Sequence, residues 1–65
     1  MKPKVGDQVR VMDVWQVEHI CTVRDLCDTQ FSAVYEFKLP NDAGWRERIL
    51  WAFYKDHRGT WEIQK

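Results

Sequence analysis

The sequence predicts an all-β chain, folded as one small antiparallel barrel or strongly bent five-stranded meander, and three observations carry that expectation. Val, Ile, Thr and the aromatics make up 22 of 65 residues, against three Leu and three Ala. That balance suits pleated, half-buried strands better than helices. Short runs of alternating apolar and polar residues recur along the chain, punctuated by turn-forming residues. Sixty-five residues allow one small domain and no multidomain enzyme, read as a flexible N-terminus over 1–4 and a single β-domain over 5–65.

Val5-Gly6-Asp7 reads as a turn leading into Gln8–Met12, a first strand with Val9 and Val11 inward. Asp13–Gln16 reads as a loop carrying Trp15. The runs Val17–Cys27 and Phe31–Leu39 flank Asp28-Thr29-Gln30. With those three residues as the loop, His19, Cys21, Val23 and Cys27 share a face with Phe31, Ala33, Tyr35 and Phe37, and Asp25 is the misfit. A one-residue slip would substitute Ile20, Thr22 and Leu26. Pro40–Gly44 reads as a turn.

For residues 43–57 a strand competes with a helix capped by Asp42, and the strand is preferred because Leu50, Trp51 and Tyr54 would spread around a helical cylinder. Asp56-His57-Arg58-Gly59 suits a type I turn with a Gly bulge. As a hairpin loop it would pair Phe53 with Ile63 and Trp51 with Lys65. That register gathers Trp45, Ile49, Trp51, Phe53, Trp61 and Ile63 on one inward face and turns Arg46, Arg48, Leu50, Ala52 and Tyr54 outward.

The opening Gly6-Asp7-x-Val9-Arg10-Val11, then Cys21-Thr22-Val23-x-x-Leu26 and Ala33-Val34-Tyr35-Glu36-Phe37, resembles the first three strands of Tudor-like and KOW-like members of the SH3-like barrels, over about residues 5–53. The resemblance implies an SH3-like five-stranded barrel that binds peptides, methylated side chains or nucleic acid and does not catalyse.

Ten basic and ten acidic residues cancel, which removes the broad positive field that non-specific nucleic-acid binders use. The balance is uneven, however: residues 45–65 carry five basic and three acidic side chains. No apolar run is long enough to span a membrane. Met1–Asp7 has no apolar segment behind its lysines, so it does not read as a secretory signal, and the expected location is the cytoplasm with reduced thiols. His19, Cys21, Cys27 and His57 are zinc-ligand types without zinc-ligand spacing. The three glycines are isolated, so no phosphate loop is present. No cofactor, metal or catalytic group is expected.

A chain this short offsets its conformational entropy only when nearly every aromatic is covered, by its own core or by a partner. The expected function is therefore that of a small binding module, of the kind found among accessory or regulatory proteins of bacteria and phages. It would contact a protein partner through the outer face of the fourth strand and the following turn, with Arg46, Arg48, Tyr54, His57, Arg58 and Trp15 as contact residues. A local RNA or DNA site built from Arg46, Arg48, Arg58 and Tyr54 is the alternative, and a homo-oligomer that buries a Trp-rich face is a third reading.

Overall fold

A computed structural model describes residues 2–64, apart from the side chain of Asp42. The strands are β1 (Gln8–Met12), β2 (Glu18–Leu26), β3 (Gln30–Lys38), β4 (Trp45–Phe53) and β5 (Trp61–Ile63). They form one antiparallel sheet in the order β4-β3-β2-β1-β5. The all-β expectation holds, and the strand preferred over the helix is β4. The sheet is a bent meander with β4 and β5 at its two edges and, among the described residues, no ladder joining them.

β1 forms as its alternation dictates, with Val9 and Val11 fully buried. The β2–β3 hairpin resolves the Asp25 misfit with an irregularity. Val23 pairs with Ala33 and Asp25 with Ser32, which leaves Arg24 as an extra residue. Such a bulge flips the alternation of the strand, so Val23 stays inward while Asp25 reaches solvent. The tight turn is correspondingly shorter than expected, with the Cys27 amide bonded to the Gln30 carbonyl at 2.8 Å. Pro40–Asp42 makes a 3-10 turn, and Asn41 and Gly44 take the positive φ angles that such residues tolerate.

Two expectations about the C-terminal third are corrected. β5 pairs with β1, placing Val9 opposite Ile63 and Val11 opposite Trp61, and not with β4. The expected Phe53–Ile63 pair is absent, and the Trp51–Lys65 pair lies outside the described residues. After Phe53 the chain makes a 3-10 turn, Tyr54–Asp56, pinned by the Tyr54 amide on the Thr29 carbonyl at 3.0 Å. The turn carries the chain away from β4, and β5 is laid beside β1. The residue with positive φ in the following loop is Arg58, at 71°, and not Gly59.

The faces of β4 are also the reverse of the expected ones. Ala52 stands opposite Phe31 and Leu50 opposite Ala33 on the core side, while Trp45, Ile49, Trp51 and Phe53 face outward. Volume decides this. The core consists of Val9, Val11, Cys21, Val23, Phe31, Ala33, Ala52 and Trp61, and the Trp61 ring meets Phe31 edge-on at 4.8 Å. With those two large rings inside, a close-packed core accepts the small Ala52 from β4 and not three further aromatics. At the N-terminal end Pro3 is fully buried, and the Lys4 amide donates to Asp7 Oδ2 at 2.9 Å.

Candidate functional site

The six expected contact residues fall into two groups. Arg46 and Arg48 lie on the core-side row of β4, beyond the end of the core, opposite Phe37 and Tyr35. Arg48 is half-buried. Its guanidinium lies over the Trp15 ring at 5.2 Å, and Nη1 donates to Tyr35 Oη at 3.5 Å. Tyr35 in turn stacks on His19 at 4.1 Å. Tyr54 lies past the other end of β4, about 20 Å from Arg48 at ~3.3 Å per residue, and His57 and Arg58 follow in the loop to β5. Tyr54 Oη donates to the Cys27 carbonyl at 2.7 Å, and its ring packs on Phe31. His57 is half-buried against Trp61, with ring centres 4.6 Å apart. Arg58 is exposed, and its amide donates to the Trp61 carbonyl at 2.7 Å. Trp15 and Arg48 are thus brought together, whereas Tyr54 stands past the far end of β4 from the two arginines.

The β1–β2 loop is shaped by Asp13. Its Oδ1 accepts from the amides of Trp15 and Val17 at 2.9 and 3.0 Å, and Oδ2 accepts from His19 Nε2 at 2.7 Å. The side chain is almost completely covered. The bond from His19, followed by the Val17 amide, holds the Asp13 carboxyl below the usual carboxylate range. Cys21 is buried, and its burial pushes the thiol up to about 11, whereas Cys27 is exposed at the β2–β3 turn. Among the described residues no cluster of three or more His, Cys, Asp or Glu side chains could hold a metal.

What composition alone did not place is the outer face of β4. Trp45 is 64 % exposed, Ile49 49 %, Trp51 53 % and Phe53 46 %. The free edge of the strand opens onto a cleft of ≈ 330 Å³ lined by Ile49–Phe53, Met12–Val14, Asp56 and Thr60. Across the cleft Val14 is 84 % exposed; Trp15, on the same loop but against Arg48, is 68 % exposed. Glu47 interrupts the β4 row, and at ~150–250 Å² per fully exposed large side chain its four apolar residues present roughly 450 Å². The largest apolar patch on a typical monomer is ~300–600 Å². The signal in the sequence was the apolar alternation of Trp45, Ile49, Trp51 and Phe53, which the expectation assigned to the core. Compared with protein-family models, with curated proteins and with solved structures, the chain matches none, and the Tudor-like and KOW-like resemblance gains no support from them.

Proposed function

We propose that the chain is a non-catalytic binding module that docks onto a protein partner through the outer face and free edge of β4. One observation carries this reading: a nine-residue edge strand exposes two Trp, an Ile and a Phe, while the core is filled without them. Apolar edges are ordinarily shortened, charged or covered, because they add strands from other chains; Arg46, Glu47 and Arg48 charge the first half of β4, and Ile49–Phe53 carries no charge. The uncharged stretch, which lines an open cleft, fits recognition by strand addition, in which main-chain hydrogen bonds supply affinity and alternate side chains supply selectivity. Between Trp45 and Ala52 no backbone hydrogen bond from a loop covers this edge among the described residues. The nucleic-acid alternative draws less support, because it needs Tyr54 beside Arg46 and Arg48, and Tyr54 lies past the other end of β4 with its hydroxyl on the Cys27 carbonyl.

The test is photo-cross-linking from a benzoylphenylalanine at position 51, with position 64 on the opposite sheet edge as the control. Protein adducts from position 51 that vanish when Ile49→Lys is added, with none from position 64, are the expected result. Equal adducts from both positions, or none from position 51, would refute the assignment.

A further inference from the structure

We infer that the partner segment docking on β4 is an extended peptide, apolar but for one basic residue, which adds to the edge at Ile49–Trp51 and sets that Lys or Arg against Asp56. The inference rests on the reading of β4 as a protein-docking face and names the chemistry of its occupant. Two observations point to it. The first is the backbone. The Tyr54 amide donates to the Thr29 carbonyl at 3.0 Å on the β3 side, and the Phe53 carbonyl accepts from Trp61 Nε1 at 2.8 Å on the other. Main-chain groups alternate in direction along an antiparallel strand. Ile49 and Trp51 share the parity of Phe53, so their N–H and C=O groups turn away from β3. Among the described residues no backbone from another segment bonds to them there. Trp61 occupies the edge at Phe53, which confines an added strand to the stretch before it. That stretch is uncharged and borders the cleft of ≈ 330 Å³.

The second is charge complementarity. The cleft is lined by two carboxylates, Asp13 and Asp56, and by no Lys, Arg or His. In a chain whose ten basic and ten acidic residues cancel, this makes the cleft locally negative. The two carboxylates differ in what they can still bind. Asp13 already accepts from the Trp15 and Val17 amides and from His19, and its side chain is almost completely covered. It contributes charge but no open contact. Asp56 is the reverse. Its main-chain carbonyl holds the turn, accepting from the Gly59 and Thr60 amides. Its half-buried carboxylate takes no hydrogen bond or ion pair among the described residues. A cation entering the cleft supplies the charge-assisted bond that this group lacks. An acidic segment would be repelled by both carboxylates. The remaining walls, Met12, Val14 and Ile49–Phe53, are apolar, so the residues flanking the cation are uncharged.

Short random peptides, displayed on a carrier and selected on the full chain, test the inference. The expected winners hold one Lys or Arg at a fixed place among uncharged, β-forming residues. The synthetic winner labels the chain from benzoylphenylalanine at position 51, and it loses about tenfold in affinity when its basic residue becomes norleucine. Asp56→Asn leaves the main-chain bonds of the turn in place. It costs the basic peptide about tenfold as well, with the circular dichroism of the folded sheet retained, and leaves the norleucine peptide unaffected. Winners that label position 51 without a basic preference overturn the basic occupant while the docking face stands. So does a basic winner that binds Asp56→Asn as tightly as wild type. The absence of any winner that labels position 51 removes both.

Discussion

Trp61→Phe is the substitution whose cost follows most directly from the core. Trp61 has no exposed surface. Its ring meets Phe31 at 4.8 Å, and its Nε1 donates to the Phe53 carbonyl at 2.8 Å. Phenylalanine keeps the aromatic contact but removes the donor and shrinks the side chain. A lost hydrogen bond of this kind costs about 1 kcal/mol. The void of roughly 40 Å³ left by the smaller ring, at ~24 cal/mol per Å³, adds about 1 kcal/mol more. The expected loss of about 2 kcal/mol is a large share of the roughly 3–10 kcal/mol that a domain of this size possesses. Thermal unfolding followed by circular dichroism, at one fixed protein concentration, should show the midpoint fall by roughly 8–16 °C. A fall of less than ~3 °C, equivalent to under about 0.5 kcal/mol, would mean that the indole is not buried between Phe31 and Phe53 and would refute the packing argument.

Three further outcomes are expected. Ser32 is buried on β3 opposite Trp51 with its hydroxyl unpartnered; Ser32→Ala should leave stability unchanged or raise it by up to about 1 kcal/mol in urea denaturation, since no hydrogen bond is lost. Cys27 should react with a thiol reagent at pH 8 at once and Cys21 only after unfolding, because Cys21 is buried with its thiol raised to about 11; equal rates in the folded protein would contradict this. Asp13 is held below its ordinary value of 3.8 by its bond from His19, so its contribution to stability is present above that value and disappears as pH falls through the lowered folded value. Acid titration of Asp13→Asn should therefore show a shallower loss of stability below pH 4 than wild type, and superimposable curves would count against the Asp13–His19 link.

Much of the fold was legible because period-two alternation with one apolar face has one solution. β1 is the clear case, with Val9 and Val11 between Gln8, Arg10 and Met12. β4 was not legible in the same way, because both of its rows carry apolar residues: Trp45, Ile49, Trp51 and Phe53 on one, Leu50 and Ala52 on the other. Ranking the rows by hydrophobicity selects the first. The space left beside Phe31 and Trp61 selects the second, and that space is a property of three strands together. The bulge at Arg24 left a visible mark, since an aspartate on an inward row signals that the alternation must break. The partner of β5 left none, because successive strands are usually neighbours and only the anchored turn at Tyr54 diverts the chain. Arg46 and Arg48 were recognised as a pair, but their placement followed the wrong row. Trp15 was placed on its loop, although nothing in its neighbours marked the arginine it covers.

The pairing of β5 with β1 joins segments from opposite ends of the described chain. The hairpins β2–β3 and β3–β4 close over short loops and can form early, but the inner surface stays open until Trp61 arrives from far along the sequence. Contacts of such long separation slow folding toward the millisecond-to-second range seen for small β-domains. They also make β5, only three residues long, the first element to detach in native-state opening. Its departure would withdraw the central ring of the core in the same motion. The amide of Met12 on the Thr60 carbonyl, the amide of Gln64 on the Gln8 carbonyl and the indole of Trp61 are therefore expected to exchange hydrogen together, as one cooperative unit.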